Sequence, residues 1–163
     1  MVVFLRKFND MANNYIQIFL HLVFAVKNRD SFIPTVYQSK IHSYMASTLR
    51  NFGHIPYKIG GTETHVHILL GYDISQPVSD LVRDLKVATT KFINESHIIP
   101  FQFSWQRGYG CFSASPSHKE QLCHYIEHQY EHHKGVSLAD EMKRILDKYS
   151  ISFDEKYILS DPV

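Results

Sequence analysis

The segment YIQIFLHLVFAV, residues 15–26, is rich in β-branched, aliphatic and aromatic side chains. Successive side chains of a strand point to opposite faces of a sheet, so this segment predicts a long strand with two different faces. One face is entirely apolar, and the other carries Gln17 and His21 among apolar residues. We expect the apolar face to pack on a core and the mixed face to be available for a site.

Further elements follow from periodicity and turn residues. Apolar residues at helical spacing predict a helix over 35–52, and Gly53 ends it. Residues 54–60 and 62–71 read as two strands joined at Gly60-Gly61, a pair suited to a tight hairpin turn. Pro77 fits the first turn of a second helix, and 111–115 is a short strand. Ser117 and Glu120 form a capping-box pattern that predicts a helix running to Gly135, with another helix from about Ser137.

The order of these elements defines an α+β fold. Four strands with two intervening helices match the ferredoxin-like split βαβ pattern, a four-stranded antiparallel sheet with helices on one face. The C-terminal helices follow this unit, and we expect the opposite face of the sheet to stay free for a ligand or partner. The length of 163 residues fits one domain over 1–163, with a core of about 14–149 and a tail of 150–163.

Bulk composition narrows the setting of the protein. Hydrophobic residues make up 44% and charged residues 20%, which is ordinary for a globular domain. The net charge of +1 predicts that any nucleic-acid site is a local basic patch. Cys111 and Cys123 are too few for a disulfide framework or a zinc cluster, which favours a reducing cytoplasm. The apolar run near the start is shorter than the ~20 residues of a membrane span, so we expect no membrane association.

A histidine pair lies on the third predicted strand. In His65-Val66-His67 both imidazoles project from the same face, because alternate residues of a strand share a face. Two neutral imidazoles on rigid backbone can share a metal ion. Such pairs also occur as solvent-facing or hydrogen-bonded histidines, so the pattern by itself leaves both readings open.

A tyrosine and a glutamine lie four residues apart on the helix after Ser117. Leu122, Ile126 and Tyr130 predict its buried stripe, and Tyr125 with Gln129 predicts a stripe at the border of the core. A nucleophilic tyrosine needs its phenol outside the packing and positive charge nearby, because the pKa of a free phenol is ~10. Tyr125 could equally be a half-buried aromatic and Gln129 a solvated residue.

Four motifs together carry a resemblance to a known family. They are residues 19–24 followed by Lys27-Asn28-Arg29, the run from His65 to Leu69, the run from Trp105 to Tyr109, and the run from Tyr125 to Gln129. In this order and spacing the chain resembles the single-tyrosine transposases of the HUH class, which include insertion-sequence transposases and REP-associated tyrosine transposases.

The resemblance implies specific roles. His65, His67 and Gln129 would bind a divalent cation, Mg²⁺ or Mn²⁺, and Tyr125 would be the nucleophile. The implied reaction cleaves and rejoins single-stranded DNA through a covalent 5′-phosphotyrosine, with hairpin-marked DNA as the partner. Similar proteins are homodimers, in several of which the tyrosine helix of one subunit completes the site of the other.

Other residues are assigned from charge or left without a family role. Four histidines near the tyrosine have no role in the family pattern, and we expect them to be solvated: His124, His128, His132 and His133. Isolated basic residues are candidates for contacts with the DNA backbone: Lys27, Arg29, Arg83, Lys86, Lys91 and Arg107.

Two other functions remain open at this level. An open antiparallel sheet with exposed aromatic residues is also how non-catalytic modules bind single-stranded nucleic acid. A metal-dependent phosphoesterase that activates water would need the histidines but not Tyr125. A domesticated relative that cuts palindromic repeats would share all the chemistry of an active transposase.

Overall fold

The computed structural model describes residues 14–162 and contains one four-stranded antiparallel sheet. The strands lie in the order β2-β3-β1-β4, so the first strand is central and pairs with both the third and the fourth. This order confirms the predicted α+β split βαβ fold. The elements are β1 (Phe19–Ala25), α1 (Thr35–Asn51), β2 (Ile55–Gly61), β3 (His65–Gly71), α2 (Val78–Glu95), β4 (Gly110–Ala114), α3 (Lys119–Glu127), α4 (Gln129–His132) and α5 (Leu138–Lys148).

One face of the sheet packs against α1 and α2. Alternate residues of β1 and β3 point to this face, and they meet the apolar stripes of the two helices in a single large cluster. Its members include Leu22, Phe24 and Ile68 from the strands, with Ile41 from α1 and Leu85 from α2, all fully buried. The apolar face of the first strand therefore forms the main core, as predicted.

The opposite face of the sheet is covered, which corrects the expectation that it stays free. On one side α3 brings Ile126 against Phe19 and Leu69. On the other side α5 brings Leu138 and Met142 against β1 and β4. The stripe on α5 was predicted, but periodicity does not say against which surface a stripe packs. The mixed face of β1 is therefore buried beneath these two helices instead of facing solvent.

The β2–β3 connection differs from the predicted tight turn at Gly60-Gly61. Both glycines belong to β2, and residues 62–64 make the turn. A Cβ on Gly60 would lie 2.3 Å from the backbone oxygen of Ile126, so this glycine lets α3 approach the sheet. Gly61 has a φ of +152° and could not accept a Cβ without meeting the backbone oxygen of His65. The pair therefore serves packing and strand geometry.

The helix predicted from Ser117 to Gly135 is interrupted. Residues Pro116–His118 form a 3₁₀ turn without a side-chain cap, so the predicted capping box is wrong. His128 then separates α3 from α4, with φ −103° and ψ 27°. This break changes which side chains are buried: Gln129 is 1% exposed and Tyr130 is 42% exposed. The predicted burial of Tyr130 is wrong for the same reason.

Cys111 and Cys123 are both free thiols. Within residues 14–162, none of the helices combines the length and apolar character that crossing a membrane requires.

Candidate active site

Two imidazoles from β3 form the base of the site. His65 and His67 are both fully buried, and their rings lie 5.2 Å apart, centroid to centroid. Both belong to the face of the sheet that α3 and α5 cover, because Val66 between them points into the main core. The strand therefore holds the pair rigidly, as the sequence predicted.

Each imidazole uses its Nδ1 atom for a protein contact. His65 Nδ1 lies 3.1 Å from the hydroxyls of both Thr62 and Thr64, which belong to the β2–β3 turn. His67 Nδ1 lies 2.8 Å from Nε2 of His21, which projects from the mixed face of β1. Partners at Nδ1 fix the orientation and the tautomer of an imidazole. The Nε2 atoms of both rings are thereby left for other contacts.

Tyr125 lies over this pair within the same chain. Its ring packs edge-on against His67 with 5.7 Å between centroids and against His21 with 6.4 Å. Its side chain is half-buried at the border of the core, as the spacing predicted. The Tyr125 hydroxyl donates a hydrogen bond to Oε1 of Glu141 on α5. The phenol, the two imidazoles and a carboxylate thus meet at one place.

Gln129 lies at the site, directly after the interruption of the helix at His128. Its Nε2 donates to the backbone oxygen of Tyr125 at 3.3 Å, and its Oε1 lies 3.4 Å from Nε2 of His65. The amide nitrogen is therefore occupied by the backbone, and the amide oxygen faces the histidine. An oxygen with free lone pairs in this position is suited to bind a cation.

Glu141 connects the tyrosine to the histidines. Its Oε1 lies 3.5 Å from Nε2 of His67, and its Oε2 lies 3.8 Å from Nε2 of His65. His133 holds this carboxylate: its Nε2 lies 2.7 Å from Oε2, and its Nδ1 lies 2.9 Å from the backbone oxygen of Val136. A carbonyl oxygen only accepts, so Nδ1 carries a proton and donates it there. The Glu141 side chain is fixed at both of its oxygens.

Burial keeps the histidines in the form that binds metal. Burial, with the neighbouring His67 and His133, lowers the pKa of His65 to about 3. Burial, with His133 nearby, also lowers the pKa of His67 to about 3, and burial raises the pKa of Glu141 to about 7. Both imidazoles of the pair are therefore neutral at pH 7, the protonation state of a metal ligand.

The side chains that meet here fit a divalent cation. His65, His67 and Glu141 each offer a ligand atom, and these atoms lie within 4.8 Å of one another. His67 Nε2 is buried and has no hydrogen-bond partner among the described residues. A buried nitrogen without a partner is costly unless a ligand satisfies it, and a cation would do so. A buried His-His-Glu group that could bind a metal is thus part of this fold.

The predicted DNA contacts are divided between two regions. Lys27 and Arg107 are exposed and lie beside the end of β1 that pairs with His65. The side chain of Arg29 lies outside the described residues. The three candidates on α2 are on the other side of the sheet from the histidine pair, because α2 packs on the main core. There Arg83 pairs with Asp80 and Asp84, Lys91 with Glu95, and Lys86 donates to backbone oxygens of Gln106 and Gly108.

Sequence reasoning missed several residues of the site. Glu141 lies on the apolar stripe of α5, three residues after Leu138. A carboxylate is rarely buried without a partner, so its position on this stripe was a signal for a functional residue. His133 was expected to be solvated, but it is half-buried against Glu141. His21 had been noted only as polar on the mixed face of β1.

The other three histidines near the tyrosine differ in exposure. His124 is exposed, as expected, and stacks on His128, which is half-buried. His132 is exposed and lies beside the Tyr125 ring.

Fold and site together define a small α+β domain with a paired-histidine centre and a tyrosine beside it. The family model described as IS200-like transposase matches residues 14–129, and the chain belongs to that family. This confirms the resemblance drawn from the sequence motifs. No protein with a curated description matches the sequence.

Several solved structures share the fold, and two of them illustrate the similarity. A protein from Deinococcus radiodurans assigned as a transposase has 20% identity and a TM-score of 0.58, over 74% of this chain and 97% of that one. A REP-associated tyrosine transposase bound to a REP hairpin has 13% identity and a TM-score of 0.57, over 95% of this chain and 98% of that one. At these identities the likeness concerns the fold alone.

Proposed function

We propose that this transposase cleaves and rejoins single-stranded DNA with Tyr125 as its nucleophile and a divalent cation as its cofactor. One observation carries the proposal. The Tyr125 phenol lies against His67 and donates to Glu141, in the same chain as both histidines and Gln129. A phenol placed among four potential ligand or proton-transfer groups has the surroundings that a nucleophilic tyrosine needs.

The cation would be held by His65, His67, the amide oxygen of Gln129 and the carboxylate of Glu141. When bound, Mg²⁺ or Mn²⁺ would polarise the scissile phosphate and offset its developing negative charge. The hydroxyls of Thr62 and Thr64 and the imidazole of His21 orient the two histidines from behind. Such supporting contacts are typical of metal-binding histidines.

The chemical step uses the contact between Tyr125 and Glu141. As the phenol oxygen attacks phosphorus in line, its proton passes to Oε1 of Glu141, the acceptor it already contacts. The bond between phosphorus and the 3′ oxygen breaks, and the 3′ oxygen takes up a proton from solvent. The products are a 5′-phosphotyrosine and a free 3′ hydroxyl. Attack by another 3′ hydroxyl reverses the step, so strands are rejoined without a nucleotide cofactor.

The DNA partner we propose is a single strand with a hairpin. The solved relative bound to a REP hairpin supports this choice. Lys27 and Arg107, beside the end of β1 that pairs with His65, are candidates for contacts with phosphates. Arg29 lies two residues after Lys27 in the sequence. Each chain has the tyrosine and its metal-ligand candidates together. A homodimer would therefore carry two complete sites and would not depend on exchange of the tyrosine helix.

Covalent capture tests this function. Labelled single-stranded oligonucleotides with a hairpin are incubated with the protein and Mg²⁺ or Mn²⁺, and a denaturing gel is used to separate protein-linked DNA. We expect an adduct with the wild-type protein and with Tyr149→Phe, and none with Tyr125→Phe or with EDTA. Cleavage at the wild-type rate by Tyr125→Phe would indicate a water-using phosphoesterase. Binding without cleavage in every sample would indicate a non-catalytic module.

A further inference from the structure

The short helix α4 depends on contacts outside itself. It spans only Gln129–His132, and one helical turn gains too few internal hydrogen bonds to be stable by itself. Tyr130, the second residue of this turn, is 42% exposed, so its ring contributes little to a core. Its hydroxyl instead contacts two side chains of α1, accepting from Gln38 Nε2 at 2.7 Å and lying 3.2 Å from Thr35 Oγ1. The hydroxyl is therefore what ties this turn to α1.

These contacts form a chain with one direction. Thr35 donates its single hydroxyl proton to Oε1 of Glu63 at 3.1 Å, so Thr35 Oγ1 can only accept from Tyr130. Tyr130 in turn accepts from the amide of Gln38. Each hydroxyl thus accepts one hydrogen bond and donates one, and bonds arranged in this way polarise and strengthen one another.

The chain joins the two halves of the site. Tyr130 directly follows Gln129, whose Oε1 faces His65. Glu63 lies in the β2–β3 turn, between the two threonines whose hydroxyls contact Nδ1 of His65. The backbone oxygen of Glu63 also accepts from Ile33 N at 2.7 Å, which anchors this turn beside the start of α1. This chain therefore links the turn that carries Gln129 to the turn that contacts His65 by way of α1.

We propose that Tyr130 and Gln38 are positioning residues that hold the Gln129 amide oxygen at the metal site. The inference rests on the proposed function, in which Gln129 is a ligand. Neither side chain reaches the histidines itself, so both act through Gln129. Loss of a partner that hydrogen-bonds a ligand directly typically weakens metal binding by about 10- to 100-fold, so we expect an effect at the lower end for these more remote contacts.

Metal affinity of the full chain, without DNA, tests the proposal. Isothermal titration with Mn²⁺ is made on the wild type, Tyr130→Phe, Gln129→Ala and the double variant. We expect Tyr130→Phe to bind about 10-fold more weakly, and the double variant to bind like Gln129→Ala, because Tyr130 has then nothing to position. Gln38→Met, at the other end of the same hydrogen bond, should weaken binding in the same direction.

The matched control is Tyr149→Phe, which removes a hydroxyl that donates to the backbone oxygen of Ser113, away from the metal ligands. It should bind Mn²⁺ like the wild type, and thermal unfolding in EDTA should show Tyr130→Phe folded. Wild-type affinity in Tyr130→Phe, or an equal loss in the presence and absence of Gln129, would overturn the positioning role alone. Wild-type affinity in Gln129→Ala would overturn the ligand assignment, and with it the positioning role.

Discussion

The two faces of the sheet are built from alternate residues of the same strands, yet they differ in kind. On the face toward α1 and α2, the side chains form one large apolar cluster. On the face toward α3 and α5, apolar packing is split into two smaller clusters, and His21, His65 and His67 are buried beside them. The face toward α1 and α2 thus supplies most of the apolar burial that stabilises the fold. This stabilisation offsets the free-energy cost of burying polar histidines on the opposite face.

The comparison is tested most strongly by two adjacent residues of β3, His67 and Ile68, which point to opposite faces. We expect His67→Ala to abolish metal-dependent cleavage and adduct formation while the protein remains folded. Ile68→Ala should instead lower the free energy of unfolding by about 2–5 kcal/mol, because it leaves a cavity in the main core. Chemical denaturation and covalent capture are measured on both variants. A large stability loss in His67→Ala, with activity preserved, would contradict the division between the faces.

The next test removes the carboxylate of the site face. Glu141→Gln keeps the size of the side chain but is a poor proton acceptor and a weaker ligand. We expect the rate of adduct formation to fall by about 10²–10⁴-fold, the usual contribution of general-base catalysis. Glu131→Gln, an exposed position on α4, is the control and should cleave like the wild type. Faster cleavage by Glu141→Gln would mean that this carboxylate blocks the site instead of serving it.

The closeness of α3 to the sheet can be tested at Gly60. An alanine there would bring Cβ to 2.3 Å from the Ile126 backbone oxygen, so α3 must move outward. We expect a loss of about 1–3 kcal/mol in unfolding free energy, as for other overpacked positions. Because Tyr125 precedes Ile126, adduct formation should fall more than this stability loss explains. Denaturation and capture on Gly60→Ala measure both, and a wild-type adduct yield would show that Tyr125 does not depend on this contact.

The smallest expected effect is a change in stability at acidic pH, and it concerns a histidine of α1. Burial lowers the pKa of His42 on α1 to about 4, whereas the unfolded chain has the ordinary value of 6.5. Between these values the unfolded state binds a proton that the folded state does not, so stability is present above pH 6.5 and is lost as pH falls toward 4. We expect His42→Leu to reduce that loss by about 1–3 kcal/mol in urea denaturation across this range. His65 and His67, whose pKa values are also lowered, contribute to the same slope in both proteins, and a slope unchanged by His42→Leu would show that His42 adds nothing to it.

Much of the fold was predictable because its signals are local. Alternation in residues 15–26 predicted the two-faced strand, helical spacing predicted α1, α2 and α5, and the order of elements predicted the sheet. The capping box at Ser117 and the turn at Gly60-Gly61 were wrong. At Gly60 a tertiary requirement prevailed over the local turn preference, because this glycine admits the backbone of α3.

The candidate site was predictable in part. The strand placed His65 and His67 on one face, and the spacing placed Tyr125 at the border of the core. Gln129 was expected on the same continuous helix, but it begins a separate turn after the break at His128 and faces His65 from there. Glu141 was missed because it lies on α5, 74 residues after His67. The spacing of residues along a sequence does not reveal contacts between such distant segments.

The sequence by itself determined the periodicities, the histidine pair and the family to which the chain belongs. Each of these depends on short runs of residues whose identity and spacing can be seen without the fold. Only the tertiary structure decided that α3 and α5 cover the second face, that Tyr125 meets the histidines of its own chain, and that Glu141 lies between them. The physical reason is that these three arrangements depend on how separate elements pack. Packing is settled by shape and burial over the whole domain, which no single segment contains.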